Sequence, residues 1–314
     1  MTHETFPRIA TVGVHIVDTL GRPVAYLPQG QDSLRLEQIR VTPAGTAAGV
    51  AVDLATLGAE VLTVGAIGTD DPGEFLMAAM QRRGVDTSRV TRLDDTQTSA
   101  SILLIAENGD RPALHVRGAN AVVRWADLDL TGLDACQAVH FGGLDAMPGL
   151  DIEQTEALMA SLRSAGCLVT LDFQSAARYL DPALLRLVPH ADVFLPNEEQ
   201  AAGLVDVTDP QLAAERLLEL GAGSVIVTCG ENGAVFVNRE QCIHVPARPV
   251  DVVDTTGCGD AFCAAFILAT LRDYALPRAL RIAAAAAGLV ASGLGSDAGL
   301  SNWQQVIEFA DSPS

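Results

Sequence analysis

The chain has 314 residues and a formal net charge of −19 at pH 7. Of these residues, 49% are hydrophobic and 19% are charged, a composition that excludes a disordered chain and can bury the core of a large α/β domain. An acidic surface repels phosphate backbones and anionic lipid headgroups, so we expect neither nucleic acid nor a membrane as a partner. Dense carboxylates also suit a protein adapted to high salt, which the sequence leaves open.

The cysteines and the N-terminal residues indicate a cytoplasmic protein. The six cysteines include no C-x-x-C spacing, and we expect them to be reduced thiols. The residues Met1 to Arg8 contain no apolar run after a basic start and are unlike a signal peptide. The most apolar stretch, Ile282 to Ser296, is shorter than the ~18 residues of a membrane span and predicts a buried helix.

Strand and helix patterns alternate along the chain. Apolar, β-branched runs predict strands, and apolar residues at helical spacing predict helices. The predicted strands cover residues 9–17, 61–67, 138–141, 168–173, 193–195 and 224–228. The predicted helices cover residues 46–57, 72–84, 152–165, 182–188 and 212–220. This repetition with short connections predicts an α/β fold with a mostly parallel sheet and helices on both faces.

Two partly polar, alternating segments, Val24 to Val41 and Val90 to Arg117, interrupt this pattern. The second contains Asn108-Gly109 between two extended runs, which is a β-hairpin signal. We interpret the segments at about 22–42 and 96–118 as a small β lid over the active cleft. A pair of ordinary surface hairpins is the alternative. Because no repeat, linker or boundary is visible, we expect a single domain over residues 1–314.

The strongest functional pattern is the run Asp254 to Phe262, which precedes an apolar helix predicted over Ala261 to Leu271. Gly257 and Gly259 allow the backbone to approach a ligand closely at this turn. The helix N-terminus presents free N–H groups and the positive end of its dipole to an anion. Asp260, in the first turn, is placed to deprotonate an attacking hydroxyl. From the residues alone, an N-terminal helix cap is the alternative.

The first seven residues of this run, Asp254 to Asp260, resemble the Asp-Thr-x-Gly-Ala-Gly-Asp signature of the ribokinase-like sugar kinases, also called the phosphofructokinase-B family. Cys258 replaces the signature alanine. Other motifs similar to those of the family follow in order over nearly the whole chain: Gly13 to Asp18, Ala44 to Ala51, Gly65 to Gly73, Asn108 to Arg111, Pro196 to Gln200 and Thr228 to Ala234. The resemblance implies a ribokinase-like three-layer α/β/α fold and ATP-dependent phosphorylation of an alcohol group of a sugar or sugar-like molecule.

The resemblance further implies in-line phosphoryl transfer, with Mg²⁺ bridging the phosphates of ATP. Asp260 would take the proton of the acceptor hydroxyl. The backbone N–H groups of Gly257, Cys258, Gly259 and Asp260 would form an anion hole for the γ-phosphate, where negative charge develops.

Two more functions come from the same resemblance. Asp254 and the carbonyl of Thr256 are similar to the family's monovalent-cation site, which implies K⁺; a turn-capping role for Asp254 is the alternative. The β lid implies a homodimer formed through it.

On the nucleotide side, the resemblance assigns Asn197, Thr228, Gly230 and Gly233 to ATP binding, with a plain β-turn as the alternative for the last three. The stretch Ala283 to Gly288 is similar to the helix beside adenine, although its alanines equally suit a packed core helix. The family's Asn-x-x-Glu motif here ends in Gln200, which places a contact with a magnesium-bound water in doubt at that residue.

On the acceptor side, the resemblance assigns Asp18, Gly45 and Gly49, and the strand containing His140 reaches the same cleft. Gly49 replaces an asparagine that would bind a sugar hydroxyl, and Ile16 stands where sugar-specific members often have another. Each missing polar group would leave a hydroxyl unpaired, so we expect the substrate not to be ribose itself. His15 and His140 could supply hydrogen bonds instead, or could be packed strand histidines.

Two other functions remain in competition with a sugar kinase. A nucleoside kinase of the adenosine-kinase type would suit the apolar Ile16 and the small Gly49. A non-catalytic, ligand-binding homologue is less consistent with the intact run from Asp254 to Asp260. A Rossmann dehydrogenase is disfavoured because no G-x-G-x-x-G follows the first strand.

Overall fold

The computed structural model describes residues 6–107, 110–175 and 177–312. This part of the chain contains two β-sheets, of which the larger has helices packed on both faces. The strands are β1 (Arg8–Gly13), β2 (Ile16–Arg22), β3 (Gln38–Ala44), β4 (Glu60–Gly68), β5 (Val85–Leu93), β6 (Ala100–Leu104), β7 (Ala113–Val116), β8 (Ala138–Gly142), β9 (Leu168–Asp172), β10 (Val193–Phe194), β11 (Ser224–Thr228), β12 (Ala234–Asn238) and β13 (Cys242–Val245). The α-helices are α1 (Thr46–Thr56), α2 (Asp71–Arg82), α3 (Gly118–Val122), α4 (Ile152–Ser164), α5 (Glu198–Val205), α6 (Pro210–Glu219), α7 (Cys258–Leu271), α8 (Leu276–Ala291) and α9 (Trp303–Asp311).

The larger sheet has the strand order β13-β12-β11-β10-β9-β8-β1-β4-β5. The strands from β11 to β5 pair in parallel, whereas β12 and β13 add an antiparallel edge. The predicted mostly parallel α/β sheet is therefore confirmed. The chain moves outward from β1 in both directions, so the order reverses between β1 and β8. In open α/β sheets, ligands bind outside the carboxyl ends of the strands at such a reversal.

The two faces of this sheet bury separate apolar clusters. On one face, α1, α7 and α8 pack together through side chains such as Leu54, Ile267 and Ala283. On the other face, residues such as Met159 of α4 and Leu217 of α6 pack against the strands. In α7, every residue from Ala261 to Ala269 is buried, so the helix is enclosed on all sides. This enclosure fixes where its N-terminus lies.

The smaller sheet has four strands in the order β3-β2-β6-β7. The strands β2 and β6 pair in parallel, and the outer pairs are antiparallel. This sheet contains the two segments interpreted as a lid, although its first strand already begins at Ile16 rather than near residue 22. The predicted turn at Asn108-Gly109 lies outside the described residues.

The single strand predicted over residues 9–17 is wrong, because β1 and β2 belong to different sheets. The chain leaves the larger sheet at Gly13, which has a φ of 146°. A Cβ atom at Gly13 would lie 1.8 Å from the carbonyl oxygen of Gly142 at the end of β8. Only glycine allows the ends of these two strands to approach so closely.

Other differences from the prediction are local. The segment Pro182–His190 is a 3-10 helix rather than an α-helix. Apolar periodicity did not predict the helices α5 and α9, because both are short and half-exposed. It also did not predict the hairpin of β12 and β13. In the described ranges, we find no helix with the length and hydropathy needed to cross a bilayer.

Candidate active site

The predicted base lies where two helices meet at the cleft. Asp260 is the third residue of α7, and Gly49 of α1 faces it. A Cβ atom at Gly49 would lie 2.4 Å from Oδ2 of Asp260. The glycine at position 49 therefore does more than remove a contact with a sugar hydroxyl. Any side chain there would displace the Asp260 carboxylate.

The Asp260 carboxyl has an unusual electrostatic environment. Burial and the nearby charge of Asp18 raise its pKa to about 7, although the Arg111 guanidinium acts in the opposite direction. Burial also raises the pKa of Asp18 to about 6, an effect opposed by a hydrogen bond from Ser101 and by Arg111. A carboxyl group with a pKa near neutrality can exchange a proton at physiological pH, as a general base must.

The turn before α7 is shaped for an anion. Gly257 caps the helix with a φ of 81°, and a Cβ atom there would lie 2.4 Å from the Cα atom of Ser296. A Cβ atom at Gly259 would meet no atom within 4 Å, so this side of the turn faces open space. The first N–H groups of the helix have no partner within the helix, which leaves them for a ligand. The N–H of Cys258 makes one long contact, 3.4 Å, with the carbonyl oxygen of Thr255 just before the helix. Burial raises the pKa of Cys258 to about 12, so its thiol stays neutral.

Asp254 anchors this turn. Its Oδ1 atom accepts hydrogen bonds from the backbone N–H of Thr256 at 3.0 Å and from the Thr256 hydroxyl at 2.7 Å. Its Oδ2 atom accepts a hydrogen bond from the N–H of Gly295 at 2.9 Å. The carboxylate therefore ties the loop before α7 to the loop after α8, which is the turn-capping role.

The acceptor side is closed by Gly45 and the strand β2. Gly45 precedes α1 with a φ of 92°, and a Cβ atom there would lie 2.7 Å from the carbonyl oxygen of Val14. Asp18, on β2, has only 7% of its surface exposed. The structure thus brings Asp18 and Gly49 close to Asp260, and Gly45 lies just before the helix that contains Gly49. The sequence separates Asp260 widely from the other three.

The two histidines near the cleft are buried and neutral. Burial lowers the pKa of both His15 and His140 to about 4. The His15 ring contacts the carbonyl of Gly13 and the hydroxyl of Thr63, each at 3.0 Å. The Nδ1 atom of His140 lies 2.9 Å from the Thr170 hydroxyl, and its Nε2 atom is buried without a partner in the described part of the chain. Because both ring nitrogens of His15 have partners in the protein, this geometry favours a packed strand histidine at that position.

The residues assigned to the nucleotide lie together at the ends of β10 and β11. Asn197 and Thr228 form an isolated parallel bridge, and the N–H of Thr228 donates to the carbonyl of Pro196 at 3.1 Å. Gly230 has a φ of 53° and no atom within 4 Å of a potential Cβ. At Gly233, with a φ of 86°, a Cβ atom would lie 2.0 Å from the carbonyl oxygen of Val245. Gly230 therefore leaves open space at this surface, and Gly233 allows the turn to pack closely against Val245.

Gln200 has a structural role. Its Oε1 atom accepts a hydrogen bond from the N–H of Asn197 at 3.0 Å, and the Asn197 side chain accepts one from the N–H of Gln200 at 2.8 Å. Its amide Nε2 donates to the carbonyls of Phe173 at 2.7 Å and Ser175 at 3.2 Å. The side chain is 3% exposed. Only an amide can both accept and donate in this way, so the glutamine joins α5 to the end of β9.

The sequence reasoning missed three charged groups near Asp260. Asp172 ends β9 at the same edge of the sheet, and burial and the charge of Asp260 raise its pKa. The Nη1 atom of Arg111, in the lid, lies 3.4 Å from the hydroxyl oxygen of Thr256. Asp53 lies one turn after Gly49 on α1 and is fully buried, with no described partner for either carboxyl oxygen. Asp172 could have been found, because it is a carboxylate at the end of a predicted parallel strand; the other two depend on tertiary packing.

Comparisons with known proteins identify the family of the chain. The family described as pfkB family carbohydrate kinase matches residues 8–303. A deoxyribokinase of Salmonella typhi is 28% identical over 312 residues, covering 96% of this chain and 98% of its own length. An aminoimidazole riboside kinase of Salmonella typhimurium is 29% identical over 248 residues, covering 74% of this chain and 76% of its own length. The structure of Arabidopsis thaliana ribokinase complexed with ribose and ATP superposes with a TM-score of 0.83 at 23% identity, over 98% of this chain and 100% of that one.

The hydrogen bonds of Gln200 predict that Gln200→Glu will destabilise the protein. A carboxylate cannot donate to the carbonyls of Phe173 and Ser175, and it would be buried beside them. We expect a loss of about 1–3 kcal/mol in the free energy of unfolding, measured by urea denaturation. Glu199→Gln, an exposed neighbour on the same helix, is the matched control. Equal stability of Gln200→Glu and wild type would contradict the structural role.

Proposed function

The chain belongs to the pfkB family of carbohydrate kinases, and on that premise we propose that it transfers the γ-phosphoryl group of ATP to a hydroxyl of a sugar-like acceptor with Asp260 as the base. The observation that carries this proposal is the position of Asp260. It lies in the first turn of a buried helix, next to the open face at Gly259, and burial raises its pKa to about 7.

In the proposed reaction, the acceptor oxygen attacks the γ-phosphorus while its proton passes to the Asp260 carboxylate. The bond between the γ-phosphorus and the bridging oxygen breaks, and ADP leaves. The N–H groups of Gly257, Cys258, Gly259 and Asp260 face the developing negative charge, where fixed donors lower the barrier most. Asn197, Thr228, Gly230 and Gly233 are proposed to line the nucleotide.

Mg²⁺ is proposed to enter with the phosphates. Among the described residues, no group of three or more His, Cys, Asp or Glu is arranged to hold an ion. Mg²⁺ suits such a site because it keeps several waters and binds through phosphates and one or two carboxylates. Asp172, buried beside Asp260, and Glu198, whose charge acts on Cys229 next to Thr228, are the candidate carboxylates. The bound ion would neutralise charge on the transferred group.

K⁺ fits the geometry less well. Three of the hydrogen-bonding positions of Asp254 are already used by Thr256 and Gly295. The loop anchor is therefore the function of Asp254 that its contacts support. No step of the proposed reaction depends on K⁺.

The acceptor is proposed to lack a hydroxyl on the side of Ile16. Ile16 precedes Asp18 by two residues on β2, so both side chains lie on the same face of the strand. Its Cγ1 atom lies 3.2 Å from the position of a Cβ atom at Gly45, which places an apolar group beside the start of α1. The name deoxyribokinase, given to the relative from Salmonella typhi, agrees with an acceptor of this kind. A nucleoside acceptor is the second candidate, because another relative is named aminoimidazole riboside kinase.

We also propose that the protein is cytoplasmic.

We further propose a homodimer formed through the four-stranded sheet. Val41, Thr19, Ile102 and Leu114 are directly opposite one another across β3, β2, β6 and β7. Val41, Ile102 and Leu114 are 44%, 51% and 58% exposed, and Ile39 on the same face is 70% exposed. An exposed apolar row across a whole sheet favours a partner. A second copy would cover it with the same row by two-fold symmetry.

Asp260→Asn is expected to lower kcat by about 10²–10⁴-fold, the usual contribution of a general base. ATP affinity should change little, because the backbone donors remain. Coupled ADP-release kinetics and ATP binding by calorimetry measure the two effects. Near-normal turnover in this variant would contradict the assignment.

The raised pKa of Asp260 also predicts the pH dependence of the wild type. The base acts as the carboxylate, so kcat/KM should rise with pH up to about 7 and become level above it. An aspartate with its ordinary pKa would give a profile that is level from about pH 5 upward. A rate profile over pH 5 to 9 distinguishes the two cases.

The acceptor proposal predicts that wild type will prefer deoxyribose to ribose. A hydroxyl buried without a partner costs about 1–3 kcal/mol, which corresponds to about 5–150-fold in kcat/KM. Ile16→Asn should shift the ratio of the two kcat/KM values towards ribose, with the KM for ATP unchanged. If ribose is the better substrate of wild type, the proposed contact at Ile16 is wrong; if only adenosine is turned over, the nucleoside alternative holds.

The dimer proposal predicts that Ile102→Asp will give a monomer in analytical ultracentrifugation, because the charge would be buried without a partner at the interface. Leu212→Asp is the matched control, because Leu212 is 53% exposed on α6, outside the four-stranded sheet. A monomeric wild type, or dissociation of both variants alike, would exclude this interface.

A further inference from the structure

A row of polar side chains crosses the inner face of the four-stranded sheet. Asp18 of β2 is directly opposite Thr42 of β3 and Ser101 of β6, and Ser101 is directly opposite His115 of β7. This face is the inner one because the next row, Leu20 and Leu103, is buried in an apolar cluster with Ile105 and Leu294. Packing alone favours apolar residues there, so the polar row requires another reason.

The hydrogen bonds in this row run in one direction. The Ser101 hydroxyl has a single proton, and its hydrogen bond to the Asp18 carboxylate, which lies directly opposite in the sheet, opposes the rise of the Asp18 pKa that burial causes. The Oγ atom of Ser101 also lies 3.1 Å from Nδ1 of His115. Because the hydroxyl proton is already used, the imidazole is the donor in this second bond. His115 therefore carries its proton on Nδ1.

The second ring nitrogen is then the one that can serve a ligand. Burial and the nearby charge of Arg117 lower the pKa of His115, against the effect of a hydrogen bond with the backbone of Ala100, and the net lowering favours the neutral ring. In the neutral Nδ1–H form, Nε2 is a hydrogen-bond acceptor. His115 is exposed at the edge strand of the sheet, and the row that it ends passes through the acceptor-side Asp18.

From this geometry we propose that Ser101 positions Asp18 for the acceptor and that His115 accepts a hydrogen bond from an acceptor hydroxyl. The inference deepens the proposed function and rests on it. It assigns the acceptor's polar contacts to Asp18 and His115, beside the apolar Ile16 that lies two residues before Asp18 on the same face of β2. The acceptor class that fits is a sugar with hydroxyls facing Asp18 and His115 and a carbon without a hydroxyl facing Ile16 at the start of α1.

The test compares KM and kcat for deoxyribose at saturating ATP, and KM for ATP, in wild type, Ser101→Ala, Ser101→Thr and His115→Phe. Ser101→Ala and His115→Phe should each raise the acceptor KM about tenfold, the loss expected for one hydrogen bond to a charged or closely fitted group. The KM for ATP should stay within about twofold, since the row does not contact the nucleotide turn. Ser101→Thr keeps the hydroxyl and should restore the wild-type acceptor KM.

His244→Phe is the matched control. His244 is an exposed histidine on β13 whose ring lies 3.1 Å from Oε1 of Gln211, at the far edge of the larger sheet. Its constants should equal those of wild type. If Ser101→Ala fails to fold by circular dichroism, His115→Phe decides, because this side chain is exposed.

An unchanged acceptor KM in His115→Phe, or an equal rise in the KM for ATP, overturns the inference. So does a Ser101→Thr variant as impaired as Ser101→Ala. If deoxyribose is not a substrate, ribose or adenosine serves as the probe. A wild type that turns over none of the three contradicts the proposed function itself, whereas an active wild type with unaffected variants contradicts the row alone.

Discussion

The site depends on the burial of α7. Because the residues from Ala261 to Ala269 are enclosed by the core, this helix cannot shift without opening apolar contacts with α1 and α8. Its N-terminus, with the anion-binding turn and Asp260, is held as rigidly as the core itself. Asp254 adds a polar constraint by joining the turn to the N–H of Gly295. A base and a set of backbone donors held in this way need little reorganisation when charge develops.

This arrangement concentrates several buried carboxyl groups around Asp260. Asp18, Asp53, Asp172 and Asp260 all have pKa values raised by burial, and the charge of at least one other carboxyl group raises each of them further. The chain contains no lysine, so any side-chain cation near the phosphates has to be an arginine. Arg111 of the lid is the guanidinium whose charge acts on Asp18 and Asp260. Carboxyl groups in this balance with one guanidinium suit a ligand that brings a divalent cation.

The four-stranded sheet separates two tasks by the alternation of side chains along a strand. On β2, Asp18 and Leu20 face inward, and Thr19 faces outward in the row with Ile102 and Leu114. The inner face therefore combines a small apolar cluster with a polar row beside the acceptor. The outer face is apolar and exposed. A one-residue change of register would exchange the two faces.

The sequence by itself determined the α/β class and the mostly parallel sheet, and it located the candidate site at the run from Asp254 to Asp260. Apolar periodicity and a glycine-rich turn before a helix are local patterns, so both can be recognised without the tertiary structure. It could not determine that residues 9–17 divide between two sheets, since both strands have the same apolar character and only the contact of Gly13 with Gly142 separates them. Nor could it show that Gly49 makes room for Asp260, or that Gln200 bonds to the carbonyls of Phe173 and Ser175. These contacts join residues far apart in the chain. Tertiary packing decided them, because the size or hydrogen-bonding capacity of a side chain has consequences only once its neighbours are in place.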